Sequence, residues 1–169
     1  MAEATLLLGA PLPLCSSDDQ RAERYERVLR AARSMLQGEP DLVARMATVA
    51  SLLRSAFAYY DWVGFYRWDG RQLVVGPYQG SVACLRIPLH RGVCGAAART
   101  RSSQLVPDVR HRPDHIACSP STRSELVVPL LAPGGALLGV LDVDSDAPRA
   151  FREVDRRGLQ RLAAWLSRL

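Results

Sequence analysis

Asp61-Trp62-Val63-Gly64-Phe65-Tyr66-Arg67-Trp68 divides the chain into two regimes. Upstream, apolar residues recur at helical spacing; from Asp61 onward the period drops to two. Side chains alternate faces along a strand, so Trp62, Gly64, Tyr66 and Trp68 share one face. Gly64 leaves a gap between aromatics that suits a small apolar group. Asp69-Gly70 is a turn signal, and Gln72–Tyr78 completes a hairpin.

Working back from this strand, Asp41 opens a helix that carries Leu42, Met46, Val49, Ala50 and Leu53 on one face. Before it, Ser16-Ser17-Asp18-Asp19 is a capping signal for a helix with Tyr25, Val28, Leu29, Ala32, Met35 and Leu36 in a stripe. Gly38 and Pro40 stop that helix. Residues 1–16 hold a short apolar run broken by Pro11 and Pro13, and are expected to form a flexible or loosely docked extension. The run lacks the basic start of a signal peptide. Residues 17–169 are expected to form one domain.

Working forward, Ala83–Ile87 reads as a third strand, Cys94–Thr100 as a short helix and Gln104–Val106 as a short strand. Residues 107–123 form a long loop of the kind that carries function. Glu125–Leu131 and Leu137–Asp144 make a second hairpin across Pro133-Gly134-Gly135. A terminal helix runs over Phe151–Leu169 through Leu159, Leu162, Ala163 and Leu166. The fold class is α+β: a central antiparallel sheet flanked by N- and C-terminal helices.

The last hairpin strand carries acid. One face reads Leu137, Gly139, Leu141, Val143; the other reads Leu138, Val140, Asp142, Asp144. Glu125 starts the neighbouring strand and can join the two aspartates. Like charges this close raise one another's pKa and call for a cation. An amino acid's ammonium answers that call.

The chain has 4 cysteines: Cys15, Cys84, Cys94 and Cys118. Cys94 sits at a helix start, where the macrodipole favours a thiolate. Cys118 lies in the polar loop three residues after His115, where an accessible thiol can act as a nucleophile. Cys84 is two residues from Arg86. Zinc held by these cysteines with His111 and His115 is the rival reading, but the close spacing of structural zinc sites is absent.

Composition excludes several classes. Every one of the 22 basic residues is Arg, so lysine Schiff-base chemistry and a phosphate-loop lysine are ruled out. The arginines are scattered without aromatic interleaving, which argues against nucleic acid. No stretch approaches the ~20 apolar residues of a membrane helix.

The blocks Trp62-Val63-Gly64-Phe65-Tyr66, Gly76-Pro77-Tyr78-Gln79-Gly80 through Ala83-Cys84, Arg91-Gly92-Val93-Cys94-Gly95, His115-Ile116-Ala117-Cys118, Ser124-Glu125-Leu126-Val127-Val128-Pro129 and Gly139-Val140-Leu141-Asp142-Val143-Asp144-Ser145 resemble, in order and spacing, the free methionine-(R)-sulfoxide reductases. The likeness runs from about residue 18 to the C-terminus. It implies a single GAF domain over 17–169. It also implies thiol chemistry on the free amino acid sulfoxide, with Cys118 as nucleophile and Cys84 or Cys94 resolving. By the same resemblance Glu125, Asp142 and Asp144 are the acidic positions, and Trp62 and Tyr66 the pocket aromatics. The family often has Asp after the loop cysteine and Asn before the Ser-Glu pair; here these are Ser119 and Arg123.

The implied cycle uses no metal and no organic cofactor. Cys118 attacks the sulfoxide sulfur while Glu125 or one of the aspartates protonates its oxygen. The sulfenic acid condenses with a second cysteine, and thioredoxin reduces the disulfide. The cycle suits a reducing cytoplasm, and the resemblance adds a homodimer to the expectations. The competing readings are a GAF domain that binds a small ligand without catalysis and a redox-sensing module. The absence of an output segment weighs against both.

Overall fold

The computed structural model describes residues 8–116 and 118–168. Two helices come first, α1 over Asp18–Met35 and α2 over Leu42–Ala56. Ser17 caps α1 through a reciprocal box: its Oγ accepts from Gln20 N at 3.3 Å, and Gln20 Oε1 accepts from Ser17 N at 2.8 Å. Asp41 caps α2 by accepting from Ala44 N at 2.7 Å. The stripes face the core as expected, except that Met35 at the end of α1 stands in solvent.

The strands are β1 (Trp62–Trp68), β2 (Leu73–Gln79), β3 (Arg86–Ile87), β4 (Gln104–Val106), β5 (Ser124–Leu131) and β6 (Leu137–Ser145). A short helix α3 (Gly92–Thr100) lies between β3 and β4, and α4 (Glu153–Leu166) closes the chain. All neighbours pair antiparallel, in the order β3-β2-β1-β6-β5-β4. Helices α1, α2 and α4 cover one side through Val63, Phe65, Leu141 and Val143. The other side, with Trp62, Tyr66, Val127 and Val140, is covered by α3 and the connections around it.

Three expectations are corrected. The third strand shrinks to Arg86–Ile87, so Cys84 lies in an irregular segment before it. The alternation expected along β6 breaks at its start: Leu138 packs with the helix side and Leu137 with the opposite side. A register irregularity between Leu130 and Leu131 absorbs that slip. Residues 8–16 are docked, not flexible. Leu8 is fully buried, and Leu12 pairs with the chain after α2, donating to Ala56 O and accepting from Ala58 N, both at 2.9 Å. Arg24 and Arg21 donate to the carbonyls of Ala10 and Leu14 at 2.8 and 2.6 Å. Two prolines hid this segment from a periodicity argument, because it is held by carbonyls rather than by a regular apolar face. Residues 1–7 of the expected extension, and Leu169 of the terminal helix, lie outside the described residues.

Candidate active site

Strand register builds the floor. Trp62 lies directly across from Asp144, and Asp144 directly across from Glu125. One level further in, Gly64, Asp142 and Val127 form a parallel row. The three carboxylates thus share the face that α3 covers. Trp62 stacks between Tyr66 and Tyr78, with ring centroids 5.9 and 5.3 Å away, and donates from Nε1 to Ser81 O at 3.2 Å. The gap expected at Gly64 is therefore filled by protein: a Cβ there would fall 2.3 Å from Tyr78 Cβ and 2.7 Å from the Trp62 ring. Gly64 lets the aromatic wall close up; it does not itself receive a ligand group.

Helix α3 brings Cys94 onto this floor. Gly92, at φ +73°, starts the helix in a conformation that L side chains rarely adopt, and its N–H donates to Asp114 O at 2.9 Å. That bond ties the 107–123 loop to the helix start. The Cys94 thiol donates to Asp142 Oδ2 at 3.1 Å, with Glu125 Oε1 at 4.0 Å.

This overturns the expectation of an easily ionised Cys94. A helix terminus contributes about 0.3–1 kcal/mol, up to about 2 in partly buried geometries. Against it stand full burial and two adjacent carboxylates, and these win: burial, then Asp142 and Glu125, push the thiol well above its usual range. The acids are raised as well. Burial lifts Asp142 to about 7. Burial followed by repulsion from Asp142 lifts Asp144, and the same causes, joined by Asp144, lift Glu125. Asp142 Oδ1 is buried without a hydrogen-bond partner among the described residues. A partly protonated acid cluster with an unpaired oxygen is suited to a buried cation. Cys94, Glu125 and Asp142 each offer a donor atom within 4.8 Å of the others.

The loop forms the roof. A disulfide joins Cys84 to Cys118, with Cα atoms 5.4 Å apart, while Cys94 stays free and buried and Cys15 free and exposed. Cys118 and Ile116 line the pocket together with Trp62, Tyr66, Cys94 and the three carboxylates; Cys84 does not line it. The zinc set of cysteines with His111 and His115 is not assembled. Two of its cysteines are bonded to each other, and His111 lies exposed in a 3-10 turn.

His115, which entered the sequence reading in the rival zinc set and as a neighbour of Cys118, faces Glu125 instead. Its Nδ1 lies 3.7 Å from Glu125 Oε2, and burial, then Arg112, holds its pKa below the ordinary value. The signal available was its place three residues before Cys118. Arg123, where the family pattern often has Asn, stays out of the pocket. It donates to Asp108 at 3.2 Å, and its backbone bridges Val109 and Ser145. Asp108 also receives Arg110 at 2.8 Å. The departure therefore pins the loop rather than charging the site.

A curled antiparallel sheet with its pocket under one short helix and one long loop defines a GAF domain. The family model described as GAF domain matches residues 41–168. The chain is 36% identical over 160 residues to the free methionine-R-sulfoxide reductase of Saccharomyces cerevisiae, covering 90% of this chain and 89% of that one. It is 37% identical over 149 residues to the Escherichia coli protein of the same name, covering 88% and 90%. The X-ray structure of free methionine-R-sulfoxide reductase from Neisseria meningitidis in complex with its substrate is similar at TM-score 0.83 and 45% identity, covering 90% of each chain. This chain belongs to the free methionine-R-sulfoxide reductase family of GAF domains.

Proposed function

We propose that this protein reduces free methionine-(R)-sulfoxide to methionine through Cys118. The observation that carries the reading is a disulfide from Cys84 to the pocket-lining Cys118, set above a floor of three acids with raised pKa values. The Cys118 thiolate attacks the sulfoxide sulfur. Glu125, held protonated by burial and by its acidic neighbours, gives a proton to the sulfoxide oxygen. The protonated oxygen passes from the substrate sulfur to Cys118 Sγ, the S–O bond and the transient sulfur–sulfur bond break, and methionine leaves with its sulfur reduced by two electrons. Cys118 keeps the oxygen as a sulfenic acid.

The Cys84 thiol then displaces water from that sulfenic acid and forms the disulfide. A dithiol protein of the thioredoxin kind takes the disulfide back to two thiols and is itself oxidised. The cycle calls on no metal or organic cofactor and belongs in a reducing compartment such as the cytoplasm.

The substrate's ammonium sits against Asp142 and Asp144, where it supplies the cation those carboxylates lack. Trp62 and Tyr66 wall the methyl-sulfoxide end. A peptide bond at the substrate nitrogen removes the charge, which favours the free amino acid. The test is a coupled assay on both epimers of free methionine sulfoxide and on a peptide-bound sulfoxide. Turnover of the free R epimer alone is expected; equal rates on the peptide would overturn the reading.

A further inference from the structure

Cys84 is flanked by the two most exposed large hydrophobic side chains among the described residues. Val82 is 82% exposed and Leu85 72%, against 53% for Met35, the next highest. Single exposed apolar residues are ordinary. Two beside one half of a disulfide at a pocket mouth are not explained by packing. The Leu85 carbonyl accepts from Val75 N at 3.0 Å, while its side chain stands in solvent outside the buried core.

We infer that Val82 and Leu85 form the docking surface for the protein dithiol that reduces the Cys84–Cys118 bond, and that Cys84 is the sulfur it attacks. The inference rests on the reductase reading for its purpose, though not for its test. The direction of the bond supplies the chemistry. Cys118 lines the pocket and Cys84 does not, so Cys84 is the sulfur of the pair that lies outside the substrate site. Disulfide exchange needs the incoming thiolate in line with the leaving sulfur. A protein thiolate attacking Cys118 would have to enter the pocket that Cys118 lines. Attack on Cys84 avoids the pocket and meets a partly exposed residue with the exposed Val82 and Leu85 beside it in the chain.

The partner's thiolate bonds to Cys84, the Cys84–Cys118 bond breaks, and Cys118 leaves as a thiolate into the pocket. The partner's second thiol then displaces Cys84 as a thiolate and closes the partner's own disulfide. Two electrons move from the partner to this chain.

Charge selects the kind of partner. Residues 80–91 contain Arg86, His90 and Arg91 and no carboxylate. Arg86 is more than half exposed even while it pairs with Asp69 at 3.1 Å. The surface therefore suits a dithiol protein with an apolar contact patch beside its reactive cysteine and an acidic rim.

The experiment follows reduction of the pre-oxidised protein, without sulfoxide, by thioredoxin and by dithiothreitol. Val82 also lines the pocket mouth, so the diagnostic variant is Leu85→Asp. Its second-order rate constant with thioredoxin is expected to fall at least ~10-fold, as for a central interface contact. Its rate with dithiothreitol is expected to stay within about twofold, because the small reductant needs no docking surface. Thioredoxin lacking its second cysteine should be trapped on Cys84, as mapped by mass spectrometry. An unchanged thioredoxin rate, a parallel loss with dithiothreitol, a trap on Cys118, or a change of oligomeric state with thioredoxin kinetics intact would each overturn the docking surface. Failure of the reductase reading would show separately, as normal disulfide reduction with no turnover of methionine sulfoxide.

Discussion

The Cys94 thiol points at Asp142 Oδ2 from 3.1 Å and is its hydrogen-bond donor. A thiol that donates into a buried acid cluster is held protonated, and the partner thiols Cys84 and Cys118 are already joined without it. Cys94→Ser is therefore expected to keep methionine release, formation of the 84–118 disulfide and recycling. A rise in KM of up to ~10-fold is expected as the hydrogen bond to Asp142 is remade with different geometry. Loss of thioredoxin-supported turnover with disulfide formation abolished would make Cys94 an obligatory resolving thiol.

The two bonded cysteines should fail differently. Under single turnover without reductant, Cys118→Ser should release no methionine. Cys84→Ser should release up to about one equivalent per subunit and then stall as a sulfenic acid that dimedone labels at Cys118. Cys15→Ser, outside the pocket lining and exposed, should match wild type throughout. A dimedone adduct on Cys94, with methionine still released by Cys118→Ser, would reverse the assignment.

Glu125 and Asp144 face each other across β5 and β6, yet their roles should separate. Glu125→Gln keeps the shape and loses the transferable proton, so kcat should fall at least ~10²-fold, the lower end for a positioned acid. Asp144→Asn should act mainly on KM, as expected for a group that holds the ammonium. Near-normal kinetics in both variants would show that these carboxylates are structural.

The sheet and the acid cluster were legible because both depend on alternation. Period two over Asp61–Trp68 and Leu137–Asp144 gives strands, and the placement of Asp142 and Asp144 on one face follows from it. What alternation cannot give is depth. The ionisation of Cys94 was misjudged because a helix start is visible in sequence, whereas the burial that overrides its dipole depends on the carboxylates brought in from β5 and β6. The packing of residues 8–16 was invisible for a similar reason. Its partners are Arg21, Arg24 and the chain after Ala56, distant side chains and carbonyls with no periodic trace.

The same segment borders a buried charge pair that should dominate stability. Arg21 and Asp155 are both fully buried, 2.5 Å apart, and Tyr25 and Tyr59 donate to the same carboxylate at 2.9 and 3.0 Å. Asp155→Asn leaves the Arg21 charge without its counterion, and breaking such a pair costs about 3–5 kcal/mol. The midpoint of urea unfolding is expected to drop accordingly, while the remaining folded fraction keeps its KM. A loss under ~1 kcal/mol would mean that the tyrosines and carbonyls suffice to hold the arginine.

Raised carboxylates also set a pH dependence whose sign differs from the usual one. Burial pushes Asp142 up to about 7, well above the ordinary carboxylate range, and Glu125 and Asp144 are shifted the same way. Between those values the folded chain binds more protons than the unfolded one, so stability falls as pH rises. The lowered carboxylates Glu23, Asp69, Asp108, Asp114 and Glu153 give their stability above the unfolded carboxylate pKa, and they have delivered it by about pH 5. His115, shifted down, opposes the trend near its own pKa, but as one group against three. The Tm of the unliganded, oxidised protein should therefore be lower at pH 8.5 than at pH 5.5. Asp142→Asn should flatten that fall and raise Tm at pH 8.5 by about 3 °C or more, roughly the effect of 1 kcal/mol in a domain of this size. Free methionine should stabilise wild type more at pH 8.5 than at pH 5.5, because its ammonium compensates carboxylates that are then ionised. A Tm that rises from pH 5.5 to 8.5 in wild type, or an Asp142→Asn variant that melts lower than wild type at pH 8.5, would show that the cluster is not held under charge repulsion.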